Sequence, residues 1–415
     1  LGESGVCTVN EAIAGSIGNW IIYFVLMSFI MTHALNESGF TDRLVAKFMS
    51  IKLVSKSPWI FTISLGVLGM LLGCFMDQVP ATAFMLAFVS RIYKELGYTS
   101  RDAYPHVANI LTVFGVNIGG AMTPISHSLA ILGIGIYEGA TGESLSLFSY
   151  LAFGVPTGLI LFVLLCVAVR LLTRPDMSKF KDFKIENVVK KQGPMTLREG
   201  TTAVVFFVTV IMWILPGVLK MFSDTAWVNA FNSFGITFWA ILSVVVMAVI
   251  HIAGRQDCGQ PEHQLGHPDF HQHRCLPGQR HERRFHRNRG RHSAEYYPPH
   301  PKRGACGGGV CHRHCLRPDD QLCFQRVHYH GNDSGVALAA SSGGAISAVG
   351  IALVTTMCGS CAYLLPSSFA TIAMLHGHEY SSRNQIYLFG IIMIVITSLI
   401  IGFVGYPIGC ALTGS

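Results

Sequence analysis

The sequence has little charge for its length. Only 13% of its 415 residues are Asp, Glu, Lys or Arg, whereas 51% are hydrophobic. Length alone would allow about two or three soluble domains. Such scarce charge beside long apolar runs is typical of membrane proteins instead.

The sequence also lacks a signal-peptide pattern and a disulfide framework. It begins at Leu1, and its first apolar run is internal in character, so we expect an N-terminal fragment to be missing. Half of the 12 cysteines fall within residues 255–330, and the others lie singly or as a loose pair in mostly apolar surroundings. We expect these others to be small core residues.

Five apolar runs approach or exceed the roughly 20 residues that cross a bilayer. They span residues 20–35, 150–169, 202–219, 234–253 and 386–409. A soluble protein has no place to bury all five. We therefore predict an all-α polytopic protein of the plasma or inner membrane.

Basic loops indicate the orientation in the membrane. Residues 173–200 carry seven Lys and Arg side chains, which places this loop in the cytoplasm. Residues 41–57 are also basic and space their apolar side chains at near-helical intervals. This pattern predicts an amphipathic helix on the cytoplasmic surface.

Residues 58–90 are apolar but are interrupted by Asp77-Gln78-Val79-Pro80. Basic residues flank the segment on both sides, so both ends are predicted to be cytoplasmic. This pattern indicates a re-entrant hairpin whose polar tip lies at membrane depth, where irregular backbone needs protein or water as its partner.

Two further apolar segments, 109–137 and 350–377, are broken by Gly, Pro, Ser and His. Pro124-Ile-Ser126 in the first weakly resembles Pro366-Ser-Ser368 in the second. Paired interruptions of this kind in two halves of a chain point to the binding site of a secondary transporter.

Free backbone groups at these breaks could bind an anion or Na⁺, and nearby hydroxyls could line the same site. The alternative for each small residue is helix packing. The candidate site residues are Asp77, Gln78, Val79, Thr82, Gly119, Gly120, Thr123, Ser126, Ser367 and Ser368.

Two polar residues allow two interpretations each. Asp77 could bind a cation or carry a coupling proton, because a carboxylate in an apolar hairpin is costly. It could equally cap the helix that follows. His127 fits a hydrogen-bonded side chain in a packed break better than a ligand. His376-Gly-His378-Glu379 lacks the spacing of metalloprotease zinc ligands and is interpreted as a loop.

The breaks resemble those of the divalent anion:sodium symporter family, over most of residues 10–250 and 335–415. The matching stretches are residues 74–88, Ile118–Pro124 and Ala362–Ser368. The resemblance implies an inverted-repeat fold with re-entrant hairpins and broken helices. It also implies Na⁺-coupled uptake of dicarboxylates, tricarboxylates or sulfate by an elevator-like motion of a homodimer.

The resemblance implies a transporter and not an enzyme, with Na⁺ as coupling ion and neither a further cofactor nor a nucleic-acid partner. Asp77-Gln78-Val79 stands where the family has Ser-Asn-Thr, so a cation antiporter of the same superfamily is an alternative. A membrane-anchored protein that binds metal or nucleic acid through residues 255–330 is another.

The predicted organisation has five parts. They are a first membrane repeat (1–172), a basic loop (173–200), helices that open the second repeat (201–254), a His/Arg/Cys-rich tract (255–334) and the end of the second repeat (335–415).

Residues 255–330 hold twelve of the 18 His and no Ile, Met, Thr or Trp. Their His and Cys spacings match no known zinc site, and a nucleic-acid or lipid-binding arm would need more Lys and aromatic residues. A disordered cytoplasmic insert is a further alternative. We interpret the tract as frameshifted, because Arg, His, Cys and Gly codons read one nucleotide later become codons for mostly small and apolar residues.

The coding DNA tests this interpretation. We expect the alternative frame across residues 255–330 to encode apolar, membrane-spanning segments. Sequencing the gene is sufficient, and an alternative frame without apolar spans contradicts the interpretation.

Overall fold

A computed structural model describes residues 18–51, 54, 57–143, 145–180, 193–222, 225–256 and 347–411, which belong to one compact unit. These residues are mainly helical and contain no strand. The frameshift interpretation concerns residues that lie outside this part of the chain, except at its first two positions.

The described residues form a series of α-helices. In order they are α1 (Trp20–Glu37), α2 (Phe40–Met49), α3 (Pro58–Phe75), α4 (Gln78–Glu95), α5 (Ala103–Met122), α6 (Ser128–Thr141), α7 (Leu147–Leu172), α8 (Leu197–Phe222), α9 (Ala226–Asn232), α10 (Gly235–Gln256), α11 (Ala348–Ser360), α12 (Ala370–Gly377), α13 (Arg383–Ile400) and α14 (Tyr406–Ala411). A π-helical turn, Ile401–Gly405, joins the last two.

Five of the described helical segments are long and apolar enough to cross a membrane. Four of them, α1, α7, α8 and α13 with its extension to Ala411, coincide with predicted apolar runs. The fifth is α3, and the remaining predicted run forms α10. The all-α, multi-pass prediction is therefore confirmed.

The surface helix α2 is shorter than the predicted segment 41–57, because it ends at Met49. Gly39, with φ of 87°, makes the left-handed turn between α1 and α2. Arg43 Nη2 lies 2.8 Å from Glu199 Oε2 and also bonds the Pro194 carbonyl. This largely buried ion pair holds α2 against the start of α8.

Helices α3 and α4 form the hairpin that the interrupted run indicated. The break between them consists of Met76 and Asp77. Phe61, near the start of α3, and Tyr98, just after α4, both pack against Phe180, at ring-centroid distances of 5.4 and 6.4 Å. The hairpin thus returns to the end of the bundle where it began, as a re-entrant segment must.

Helix α5 runs parallel to α3 in backbone contact. A Cβ added at Gly73 would overlap the carbonyl oxygen of Val116, and one added at Gly119 would overlap that of Met70. Small residues allow such close approach, as is common between membrane helices. Close helix packing therefore explains why a glycine stands at position 119.

Gly119→Ala should force α3 and α5 apart and lower the free energy of unfolding by about 1–3 kcal/mol. The measurement is the thermal unfolding midpoint of detergent-purified protein. Gly139→Ala is the matched control on α6, because a Cβ there meets nothing within 4 Å. An unchanged midpoint for Gly119→Ala contradicts the close crossing.

Candidate functional site

Two broken helices meet at their breaks. Residues 123–127 separate α5 from α6, and residues 361–369 separate α11 from α12. The rings of His127 and Phe369, one in each break, lie 5.1 Å apart. Further along, Gly133 on α6 packs directly on Thr356 of α11. The two segments that resemble each other in sequence are therefore in contact.

Asn117, near the end of α5, is the main polar link from the first broken helix to the second. Its Nδ2 donates to the Ala362 carbonyl at 3.0 Å, and its Oδ1 accepts a hydrogen bond from Thr371 Oγ1 at 2.7 Å. Asn117 and Thr371 are fully buried. The amide thus satisfies a carbonyl freed by the second break and holds α12 against α5.

The hairpin tip approaches the same region through Gln78. This side chain is buried against Gly120, where an added Cβ would overlap it. Its Nε2 donates to the backbone carbonyl of Asn117 at 3.4 Å. Gln78 Oε1 has no hydrogen-bond partner among the described residues. Thr82 lies one turn further along α4, and its buried Oγ1 is equally unpartnered there.

Asp77 caps α4. Its Oδ1 accepts the Val79 backbone N–H at 3.0 Å, which is the capping interaction expected of an N-cap aspartate. The neighbouring Val79 side chain is exposed. Capping leaves the second carboxylate oxygen of Asp77 available, so a role in cation binding is compatible with this geometry.

The hydroxyls of the first break already donate hydrogen bonds to backbone carbonyls. Thr123 Oγ1 donates to the Cys74 carbonyl at 2.6 Å, and Ser126 Oγ bonds the Gly120 carbonyl at 3.3 Å. These bonds close the ends of α3 and α5. Each hydroxyl keeps an oxygen lone pair, which can accept a hydrogen bond or bind a cation.

The second break uses its serine in the same way. Ser368 Oγ donates to the Leu365 carbonyl within its own break, and Ser367 is half-buried. The described contacts around the breaks run from His127 to Phe369 and from Asn117 on α5 to Ala362 and Thr371, and through neither serine.

Sequence reasoning missed Asn117 and Thr371. The available signal was an amide inside the apolar run FGVNIGG, because polar side chains within membrane segments commonly bond across helices. Thr371 has no comparable signal, since a threonine near a helix start is unremarkable.

His127 caps α6, since its Nδ1 accepts the Leu129 backbone N–H at 3.1 Å. Within the described part of the chain no group of three or more His, Cys, Asp or Glu could hold a metal ion. His376 bonds the Leu364 carbonyl, whereas His378 bonds Ser90 and Asn109. These two histidines therefore face different partners.

Residues 1–258 match the family of citrate transporters. The sodium-dependent dicarboxylate transporter SdcS of Staphylococcus saprophyticus is 25% identical over 217 residues, which cover 49% of this chain and 41% of that protein. The match thus spans less than half the length of this curated relative.

Replacing Asn117 should loosen the contact between the two breaks. Asn117→Ala leaves the Ala362 carbonyl and the Thr371 hydroxyl without this partner, at a cost of about 1–3 kcal/mol for each buried group. Thr371→Val removes only one of these bonds and should lower the thermal midpoint less. Equal midpoints for Asn117→Ala and the unchanged protein contradict the role of Asn117.

Proposed function

Because the chain belongs to the citrate transporter family, we propose that it is a secondary active transporter of small divalent anions, coupled to Na⁺. The substrates are dicarboxylates, tricarboxylates or sulfate. The family membership agrees with the resemblance to divalent anion:sodium symporters. The observation that supports the proposal is the contact between two broken helices whose backbone ends lie inside an apolar bundle.

Helix α12 offers donors for the anion. Its N-cap residue, Phe369, makes no side-chain hydrogen bond to the first turn. The first backbone N–H groups of a helix have no intrahelical partner, and the helix dipole adds positive potential at that end. An anionic carboxylate or sulfate oxygen suits such a position.

Acceptors for Na⁺ lie in the first break. Thr123 and Ser126 present hydroxyl lone pairs, and the two hydroxyls are 3.2 Å apart. Carbonyl groups at the end of a half-helix commonly complete Na⁺ sites in transporters. Cation and anion could then bind near the same break and neutralise each other's charge.

The elevator-like motion and the homodimer are proposed from the family resemblance. The matched part of the chain, residues 1–258, contains the hairpin and the first broken helix.

A cation antiporter is the second candidate, favoured by Asp77. This carboxylate stands at the hairpin tip, next to Gln78, where the resembling family has uncharged residues. A negative charge there would attract a cation and repel an anionic substrate. Ion dependence therefore discriminates between the two candidates.

In proteoliposomes of the full chain, uptake of labelled succinate, citrate or sulfate should require an inward Na⁺ gradient and fall to the level of empty liposomes in K⁺. Gly120→Ala is the informative variant, because its Cβ displaces the Gln78 side chain instead of backbone. It should lower uptake severalfold. Its thermal midpoint should lie closer to that of the unchanged protein than the midpoint of Gly119→Ala does.

Two results would contradict symport. Uptake of every anion without Na⁺ contradicts the proposed coupling to Na⁺. Exchange of Na⁺ for H⁺ without any of the three anions, measured with a pH-sensitive dye inside the liposomes, supports the antiporter instead.

A further inference from the structure

We propose that His127 binds the substrate, with its Nε2–H donating a hydrogen bond to an oxygen of the anion. This inference rests on the proposed function and assigns one of its donors to a particular atom. It adds a residue to the candidate site that the pattern of breaks did not identify as a ligand.

The hydrogen bond at the other ring nitrogen determines the tautomer. Because His127 Nδ1 accepts the Leu129 backbone N–H at 3.1 Å, Nδ1 cannot carry a proton. A neutral imidazole has one donor and one acceptor nitrogen, so its proton lies on Nε2. The ring therefore presents a hydrogen-bond donor on the side opposite the helix cap.

This donor is buried and has no partner in the described part of the chain. The side chain of His127 is 5% exposed, and Nε2 makes no hydrogen bond there. Leaving such a group unsatisfied costs about 1–3 kcal/mol. Helix capping alone does not require this unsatisfied donor, because Ser caps a helix as well with a single hydroxyl.

The position of the ring matches an anion better than a cation. His127 packs on Phe369, which directly precedes the uncapped start of α12, so two sets of N–H donors lie near each other. The hydroxyls of Thr123 and Ser368 cannot supply donors, since both donate to backbone carbonyls. An N–H donor also repels Na⁺. The ligand class is therefore an oxyanion, with a carboxylate or sulfate group.

Two substitutions distinguish the roles of the two ring nitrogens of His127. His127→Asn places Oδ1 where Nδ1 accepts the Leu129 N–H, so it keeps the cap and removes the Nε2–H donor. His127→Gln carries its amide N–H close to the position of Nε2 and weakens the cap. A structural role for His127 predicts that Gln is the more damaging change, whereas a binding role predicts that Asn is.

The measurement uses the purified full chain in Na⁺ buffer, with thermal midpoints recorded against increasing succinate, citrate or sulfate. Without anion, we expect His127→Asn to keep the midpoint of the unchanged protein and His127→Gln to lower it. The apparent Kd should rise about 10- to 100-fold in His127→Asn and less in His127→Gln. His127→Ser, a second capping residue, replaces Asn if that variant folds poorly.

Unchanged affinity in His127→Asn or His127→Ser, with an anion that stabilises the unchanged protein, overturns the inference and leaves the proposed function intact. If no anion stabilises the unchanged protein, the proposed function fails and the inference fails with it. The preferred anion among the three identifies the substrate group.

Discussion

The hydrogen bonds of Asn117 are the interaction on which the arrangement of the breaks depends. Interrupting a helix inside an apolar bundle leaves carbonyl and N–H groups that water cannot reach, and each must find a partner in the protein. Asn117 supplies one donor to the Ala362 carbonyl and one acceptor to Thr371, and it lies on a helix that is in backbone contact with the hairpin. The side-chain amide therefore holds the second break and α12 against α5. The backbone carbonyl of Asn117 accepts a hydrogen bond from Gln78 Nε2 at the hairpin tip.

The polar groups around the breaks divide into two chemical sets. Thr123, Ser126 and Ser368 bond backbone carbonyls, so what remains of their hydroxyls is mainly lone pairs. His127 Nε2 and the first N–H groups of α12 are donors without side-chain partners in the described structure. A transporter that couples an anion to Na⁺ needs both sets close together, because each ion reduces the electrostatic cost of burying the other. This division supports symport more than it supports exchange of cations.

Sequence reasoning succeeded where a property is repeated along many residues. Apolar runs of sufficient length identified the membrane helices, and the basic flanks of residues 58–90 indicated a segment that returns to its starting side, as the contacts of Phe180 with Phe61 and Tyr98 require. It was less informative for single residues. Gly119 and Gly120 look equivalent in the sequence, yet one faces the Met70 backbone and the other the Gln78 side chain.

The sequence by itself determined the membrane class, the hairpin and the positions of the breaks, because length, hydropathy and helix-breaking residues act locally. Only the tertiary structure decided which break groups are already satisfied and which are free. Residues 117 and 371 are far apart in the chain, so no local pattern could show that their side chains share a hydrogen bond. The same holds for His127, since its free nitrogen follows from the direction of one backbone N–H and from the packing of Phe369.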